Sequence, residues 1–319
     1  MMDESAIIRM LQKSFPLSNG IGDDAALLPF SDKEKILIST DLLVEEVHFR
    51  RRYTDLKSLA HKALHVNLSD IAAMGGKPHS VLLSLAIPPN TVDISFFLQY
   101  FVEACRAAQV QLIGGDTTRS PGTLFISLTV IGTGLISNIK RRSTAQPGNI
   151  LAVAGALGHA HLGFLALENN VPDLKFFKDA FLYPTARCSE GLWLGNQSAV
   201  TAMMDISDGL WVDTQKLCEA SGVSATIPIE NANIQSSYIM ACHTLGVDCL
   251  ETILIGGEDY GLLIAIQQDA YAQLAHDFQQ QFGYALTMVG TLKPSAEEVI
   301  QLTKNNVPVQ LDLKPFSHF

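Results

Sequence analysis

Aspartates occupy five turns that follow apolar segments and are rich in glycine, serine or threonine. Aspartate is unfavourable inside strands and helices, so each placement needs a physical reason. Ordinary capping explains one such turn, but it explains the whole set poorly. The turns are residues 20–24 (GIGDD), 39–41 (STD), 67–70 (NLSD), 114–118 (GGDTT) and 205–209 (DISDG), with a sixth of similar style at 256–260 (GGEDY).

Carboxylates that meet in space repel one another, and a bound divalent cation removes this repulsion. Oxygen ligands without neighbouring Cys or His favour Mg²⁺, Ca²⁺ or Mn²⁺ over zinc. Mg²⁺ is usually held by a few carboxylates together with water and substrate phosphates. The pattern therefore predicts a cleft that binds phosphate groups through metal ions.

The motifs of several other nucleotide and hydrolase sites are missing from the sequence. No G-x-x-x-x-G-K-[ST] occurs, which removes a P-loop, and no G-x-G-x-x-G supports a dinucleotide fold. Neither a G-x-S-x-G elbow nor the protein-kinase motif set is present. A phosphate site in this chain must therefore be built in another way.

Composition limits the possible partners. The 319 residues carry a net charge of −10, and 47% of them are apolar, which predicts a folded protein without a nucleic-acid surface. Acidic residues replace the basic start of a signal peptide, and no apolar run is long enough for a bilayer. Five cysteines form no C-x-x-C pair, so we expect free thiols. These features predict a cytoplasmic protein with no membrane partner.

Periodicity predicts alternating helices and strands in both halves of the chain. One helix follows residue 54, with Thr54 as the expected N-cap and Gly75-Gly76 at its end. The polar segment 137–149, which ends in Pro-Gly-Asn, is the expected domain boundary. We therefore expect an N-terminal domain over residues 1–137 and a C-terminal domain over residues 148–319, each of α+β or α/β class.

The same turns lie within longer motifs that closely resemble the thiamine-monophosphate kinase family. The order and spacing of the motifs hold from about residue 20 to the C-terminus. They are GIGDDAAL (20–27), STDLLVEEVHF (39–49), KALHVNLSDIAAMG (62–75), LIGGDTTR (112–119), RSTAQPG (142–148), DISDGL (205–210) and GGEDY (256–260).

This resemblance implies a fold shared with aminoimidazole ribonucleotide synthetase: an α+β N-terminal domain that forms a homodimer through its sheet, and an α/β C-terminal domain. It implies ATP as co-substrate, several Mg²⁺ ions and thiamine monophosphate as acceptor. The implied metal ligands are Asp24, Ser39, Thr40, Asp41, Asp70, Asp116, Asp205 and Asp208. The implied nucleotide contacts are Gly115, Asp116, Arg142 and Ser207, and the implied substrate contacts are His48, Glu258 and Phe316.

The chain departs from the family pattern at a few positions. Ala107-Ala108 stand where a tyrosine near the nucleotide is common, Thr144 and Asn149 replace a common Gly and Asp, and Gly261 replaces a common Glu. None of these departures removes an implied metal ligand.

The phosphate acceptor needs no side-chain base, because a phosphate monoester is largely deprotonated at neutral pH. We therefore expect direct in-line transfer of the phosphoryl group. Two alternatives remain: a related synthetase of selenophosphate or aminoimidazole ribonucleotide type, and a catalytically silent binder of nucleotide or thiamine phosphate. The first cysteine, Cys105, lies in a predicted helix and not in an N-terminal loop, which disfavours the selenophosphate reaction.

Overall fold

The structure of the chain is a computed structural model that describes residues 4–15, 20–89, 94–231 and 234–313. Two β-sheets organise these residues, and helices cover them. The strands of the first sheet lie between residues 26 and 135, and those of the second between residues 150 and 309. The polar segment that was predicted as a boundary lies between the two sheets.

The strands of the first sheet are β1 (Ala26–Pro29), β2 (Glu34–Val44), β3 (Lys77–Ile87), β4 (Gln111–Arg119) and β5 (Phe125–Leu135). Their order is β1-β2-β5-β3-β4, so β4 is an edge strand. All neighbours are antiparallel except β3 and β4, which are parallel. Three helices accompany this sheet within the described residues: α1 (Glu4–Ser14), α2 (Leu56–Ala73) and α3 (Ile94–Ala107).

Helix α2 is the central helix of the first domain, and thirteen of its residues are buried. Its N-cap is Asp55, whose carboxylate accepts a hydrogen bond from the Ser58 N–H at 2.7 Å. The prediction of Thr54 as the cap is wrong by one residue, because the Asp55 carboxylate reaches the free N–H three residues ahead. The predicted end is confirmed: Gly75 has φ +70°, which stops the helix.

The two faces of the first sheet have different surroundings. Along β2, Leu43 is 3% exposed and lies on the side of α2, whereas Leu42 is 50% exposed on the opposite side. Since side chains alternate along a strand, Ser39 and Asp41 lie on the helix side and Thr40 lies on the opposite side. The side without α2 is called the open face below.

The strands of the second sheet are β6 (Ile150–Ala154), β7 (Val200–Ile206), β8 (Val223–Pro228), β9 (Gly261–Ile266), β10 (Leu286–Pro294), β11 (Ile300–Lys304) and β12 (Val307–Val309). Their order is β12-β11-β8-β10-β6-β9-β7. The β11–β8 pair is parallel and the other neighbours are antiparallel.

In the part of the second domain that the structure describes, seven helices pack around the sheet: α4 (His159–Glu168), α5 (Lys175–Leu182), α6 (Cys188–Gly195), α7 (Leu210–Ser221), α8 (Ser236–Leu245), α9 (Cys249–Ile255) and α10 (Tyr271–Phe282). The two-domain fold with mixed sheets and helices is confirmed. In the second domain, helices and strands alternate along the chain, and the predicted α/β class applies in this sense. The sheet itself is mostly antiparallel.

Close backbone contact joins α2 to the second domain. A Cβ atom added to Gly191 of α6 would lie 2.2 Å from the Ala72 carbonyl oxygen, and one added to Gly195 would lie 3.0 Å from the Gly75 Cα atom. Ala72 and Ala73 belong to an apolar cluster that includes Leu262 of β9. Helix α2 is therefore packed into the cores of both domains.

Among the described residues, no single helix has both the length and the apolar composition to cross a bilayer. Helices α8 and α9, which meet at 96°, satisfy the two criteria only when taken together.

We expect the substitution Gly191→Ala to lower the free energy of unfolding by about 1–3 kcal/mol, because the added methyl group pushes α6 away from α2. Thermal denaturation followed by circular dichroism measures this loss. Gly122→Ala is the matched control, since a Cβ atom at Gly122 meets nothing within 4 Å. Equal melting temperatures for both variants would contradict the close contact.

Candidate functional site

Three aspartates from distant parts of the chain meet where the two domains join. Asp24 lies just before β1, Asp70 lies in the last turn of α2, and Asp205 lies near the end of β7. One carboxylate oxygen from each residue lies within 4.8 Å of those of the other two. Aspartates from three of the acidic segments singled out in the sequence therefore come together in space. The prediction that these segments are turns is wrong for two of them, because Asp70 lies in a helix and Asp205 in a strand.

Two of the three residues are buried and Asp70 is half-buried. Asp24 is 8% exposed and Asp205 is 4% exposed. Burial, followed by repulsion from Asp41, Asp205 and Asp24, raises the pKa of Asp70 well above its usual range. Burial and then the charges of Asp24 and Asp213 raise the pKa of Asp205 in the same way. These shifts express the cost of holding several negative charges together without a cation.

The donor set around the three carboxylates suits a hard cation. The Ser39 hydroxyl donates to Asp70, and the Ser69 hydroxyl donates to Asp205 at 2.8 Å. Arg142 Nη2 donates to Asp24 Oδ1 at 2.7 Å, whereas the buried Asp24 Oδ2 has no hydrogen-bond partner. An unpaired buried carboxylate oxygen among other oxygen donors fits a divalent ion such as Mg²⁺.

Asp41 extends this acidic group along β2. Its backbone N–H donates to the Asn67 side-chain oxygen at 3.1 Å, which ties β2 to α2 at the level of Asp70. Burial raises the pKa of Asp41 to about 6. The carboxylate of Asp41 is therefore held near Asp70 by the packing of a strand against a helix.

Asp208 lies on the turn that follows β7. Its carboxylate pairs with Lys216 of α7, and its backbone N–H donates to the buried Asp213 carboxylate at 2.9 Å. Asp213 also accepts the Gly209 N–H at 3.1 Å, and burial raises its pKa to about 7. Asp213 thus fixes the turn that presents Asp208.

A cleft with a volume of about 470 Å³ opens beside these carboxylates. At one end it is acidic, with Asp41, Asp70, Asp205 and Asp208 in its wall. At the other end it is aromatic, with Tyr53, Phe164, Phe181 and His161 in its wall. A cavity of about 550 Å³ in the second domain contains none of the residues predicted for the site.

His48 and Glu258 both line the cleft, as the substrate contacts implied by the resemblance require. The Val44 N–H donates to His48 Nδ1 at 3.0 Å, so the ring is a neutral tautomer with its proton on Nε2. Glu258 comes from the second domain, and its backbone N–H donates to the Ser207 carbonyl at 2.7 Å. The cleft is therefore built from both domains.

Arg142 lies on a single 3₁₀ turn, residues Arg142–Thr144, that is tied to β7. The Thr144 hydroxyl lies 2.6 Å from the Thr201 carbonyl, and the Asn149 side-chain oxygen accepts from the Thr201 hydroxyl at 2.6 Å. The two positions that depart from the family pattern thus hold the Arg142 turn in place. The Arg142 side chain also lies 3.7 Å from Asp23.

Two of the predicted metal ligands do not join the acidic group within a single chain. The Thr40 hydroxyl lies on the open face, where it donates to the Leu128 carbonyl at 2.9 Å. Asp116 lies on the edge strand β4, with β5 and β3 between it and β2. The predicted nucleotide contact Gly115 lies beside Asp116 on β4, and Phe316 falls outside the described residues.

Several residues of the site were not expected from the sequence. The predicted site included Asp24 but not the adjacent Asp23. Asp23 nevertheless also lies near Arg142. Lys62 is wholly buried in α2 and pairs with Glu258 at 3.0 Å. The helical pattern gave no signal for it, because helical spacing places Lys62 opposite the apolar positions of the predicted helix.

Comparison with known families identifies the first domain. Residues 22–134 match the family described as AIR synthase related protein, N-terminal domain. The chain is 33% identical to the thiamine-monophosphate kinase of Salmonella typhimurium over 98% of this chain and 95% of that protein. It is 31% identical to the Bacillus subtilis enzyme of the same name, over 94% and 93% of the two chains.

Solved structures of other proteins resemble this chain over nearly its full length. AaThiL complexed with AMPPCP and TMP superposes with a TM-score of 0.85 and 28% identity, covering 100% of this chain and 97% of the other. Thiamine monophosphate kinase from Aquifex aeolicus gives a TM-score of 0.79 at 27% identity, covering 96% and 98%. The HypE–HypF complex gives 0.77 at 19% identity, covering 97% and 99%, which shows a shared fold only.

We expect Mg²⁺ to raise the melting temperature, and to do so more strongly at pH 8 than at pH 6. The raised pKa values of Asp41, Asp70 and Asp205 mean that the folded, metal-free protein binds protons more tightly than the unfolded chain. Its stability therefore falls as pH rises through those values. We expect Mg²⁺ to bind only the ionised carboxylates, so that protons compete with it at low pH. Differential scanning fluorimetry with and without EDTA measures the shift.

Asp70→Asn should lose most of the Mg²⁺-dependent shift, because it removes one carboxylate from the centre of the acidic group. Asp269→Asn, a change at an exposed aspartate far from the cleft, should keep the shift. A shift of equal size in both variants, with no dependence on pH, would show that Mg²⁺ binds elsewhere.

Proposed function

Since the chain belongs to the thiamine-monophosphate kinase family, we propose that its cleft transfers the γ-phosphoryl group of ATP to the phosphate of thiamine monophosphate. The reaction is the ATP-dependent formation of thiamine diphosphate, and ADP is the second product. The observation that carries the assignment to this cleft is the meeting of Asp24, Asp70 and Asp205 from three segments and both domains.

The carboxylates hold several Mg²⁺ ions in this proposal. Bound Mg²⁺ offsets the negative charges of the two phosphates and stabilises the charge on the transferred group. Asp24, Asp70 and Asp205 form the centre of this metal-binding set, and Asp41 and Asp208 extend it along the cleft wall. The Ser39 hydroxyl, which is within hydrogen-bonding reach of Asp70, adds a neutral oxygen.

The transfer needs no general base from the protein. The second pKa of a phosphate monoester is about 6, so the attacking oxygen is already largely deprotonated at neutral pH. His48 agrees with this view, because its Nδ1 atom is occupied by the Val44 N–H and the ring presents a donor at Nε2. Positioning and charge neutralisation then account for catalysis, with direct in-line transfer.

In this proposal, each end of the cleft binds a different part of thiamine monophosphate. The acidic end receives its phosphate group, and the aromatic end receives the rings of thiamine, which stack on aromatic side chains. His48 and Glu258 also line the cleft and are the proposed substrate contacts. Phe316 remains a predicted third contact.

Arg142 and Ser207 are the proposed nucleotide contacts from the second domain. Arg142 now pairs with Asp24, and a guanidinium in this position has further donors for a phosphate group. Ser207 lines the cleft beside Asp208.

A homodimer completes the nucleotide site in this proposal. Exposed apolar side chains on the first domain support it: Leu42 on the open face is 50% exposed, and Ile113 on β4 is 54% exposed. The position of Asp116 supports it too, because an edge-strand residue separated from β2 by two strands reaches an acidic cleft more readily across a contact with a second copy. Gly115 and Asp116 would then act on the nucleotide of the second copy.

The alternative reactions have less support. Cys105 is buried in α3, and burial raises the pKa of its thiol to about 11, so it is a poor nucleophile.

All five cysteines are free thiols, which fits the reducing cytoplasm, where ATP is also available. We therefore place the enzyme in the cytoplasm.

Purified protein with ATP, Mg²⁺ and thiamine monophosphate should form thiamine diphosphate and ADP, and EDTA should stop the reaction. Asp70→Asn should lower kcat by about 100-fold or more, because it removes a charge that serves phosphoryl transfer. Chromatographic detection of both products measures turnover, and circular dichroism confirms the fold of the variant.

Asp269→Asn is the control, with normal turnover expected. If saturating ATP and metal yield no thiamine diphosphate from the unaltered protein, the substrate assignment is wrong. If the same protein consumes ATP with selenide instead, the related synthetase is the better assignment. Normal turnover in Asp70→Asn removes Asp70 from the metal-binding set.

A nucleotide site shared between two chains leads to a separate prediction. Asp116→Asn and Asp70→Asn should each be inactive alone, but a mixture of the two, after unfolding and refolding together, should regain about a quarter of normal activity. Half of the dimers in an equal mixture contain one chain of each kind, and one of their two sites then has both aspartates. Turnover of the refolded mixture measures this recovery, and no recovery would mean that Asp116 acts within its own chain or that no dimer forms.

A further inference from the structure

Lys62 is the buried cation of the cleft wall. It lies in α2 of the first domain with 0% of its surface exposed. Its ammonium nitrogen lies 3.0 Å and 3.1 Å from the two carboxylate oxygens of Glu258, and 3.6 Å from the centre of the Phe181 ring. The ammonium therefore contacts a carboxylate and an aromatic face that both belong to the second domain.

A buried lysine is expensive to maintain. Burial lowers the pKa of Lys62, and the charge of Glu258 acts in the opposite direction. Exchanging a buried ion pair for apolar residues of similar volume is often neutral or stabilising, so stability alone does not require such a pair. A role in substrate binding at the cleft better explains the presence of the Lys62–Glu258 pair.

Glu258 is held from two sides. Its backbone has φ +66°, an uncommon conformation for a residue with a side chain, and its N–H donates to the Ser207 carbonyl. Lys62 then fixes the side chain from the opposite domain. The backbone and the carboxylate of Glu258 are thus both restrained before any substrate binds.

The surroundings of Glu258 explain why restraint matters. Its carboxylate lines the same cleft as Asp41, Asp70 and Asp205. Without a cation beside it, a flexible glutamate among these groups would be repelled by them and would be free to turn toward the metal ions that they bind. Lys62 neutralises Glu258 locally and keeps it at the aromatic end.

We propose that Lys62 is a positioning residue for thiamine monophosphate: it holds Glu258 toward the acceptor and keeps this carboxylate out of the metal-binding set. This inference rests on the proposed function and on the assignment of Glu258 to the acceptor. Lys62 itself touches Glu258 and Phe181, and it acts on the substrate through them.

The test compares Lys62→Met with two other variants. Lys62→Arg keeps the cation. Arg52→Met removes a different ion pair between the domains, that of Arg52 with Glu168, in which the Arg52 side chain is 59% exposed. Steady-state kinetics give KM for thiamine monophosphate, KM for ATP, and kcat for each enzyme.

We expect Lys62→Met to raise KM for thiamine monophosphate by about tenfold or more, and to change KM for ATP by less than about threefold. Lys62→Arg should recover part of the loss, and Arg52→Met should leave both constants near normal. In a Glu258→Gln background the effect of Lys62→Met on KM should largely disappear, because the group that Lys62 positions is no longer a carboxylate.

Equal increases in both KM values, or a lower melting temperature with unchanged KM values, would show that Lys62 is a structural residue only. A full effect of Lys62→Met in the Glu258→Gln background would also overturn the proposal. If Lys62→Met does not fold, Lys62→Gln takes its place, since it keeps a hydrogen-bond donor. Turnover of the unaltered enzyme in the same assay separates failure of this inference from failure of the proposed function.

Discussion

The mutual repulsion of buried carboxylates is the constraint on which the rest of the structure depends. Asp24, Asp70 and Asp205 lie within 4.8 Å of one another, and Asp41 adds its charge to Asp70. Few hydrogen bonds compensate for this repulsion, and they come chiefly from Arg142 and two serine hydroxyls. The remaining negative charge favours the binding of cations and, in the proposed function, of the phosphates that they accompany.

Helix α2 is the element that makes this arrangement possible. It carries Asp70 toward β2, Ser69 toward Asp205, and Lys62 toward Glu258. Because it is packed into the cores of both domains, residues from the two halves of the chain are held in one geometry. The positions of the proposed metal-binding carboxylates and of the proposed acceptor contact are thus set by the same helix.

The aspartates were predicted to lie in turns, which is wrong for Asp70 in α2 and for Asp41 and Asp205 in strands. Much of the site could still be predicted because these aspartates recur beside glycine, serine and threonine, a pattern with a clear physical meaning. The meeting of Asp24, Asp70 and Asp205 follows from that pattern, whereas the location of Asp116 depends on strand order, which local sequence does not reveal. Thr40 shows a similar limit, since it adjoins Asp41 in sequence but lies on the opposite face of β2. Lys62 was missed because an amphipathic pattern does not distinguish a paired lysine in a core from one on a surface.

The contact between α2 and α6 also bears on how the enzyme turns over. Rotation of one domain against the other would separate Gly75 from Gly195 and Ala72 from Gly191, whose backbones are in direct contact. Hinge closure that moved α6 relative to α2 would therefore have to break this contact. Movement confined to the mouth of the cleft would leave the contact intact while thiamine compounds enter and leave.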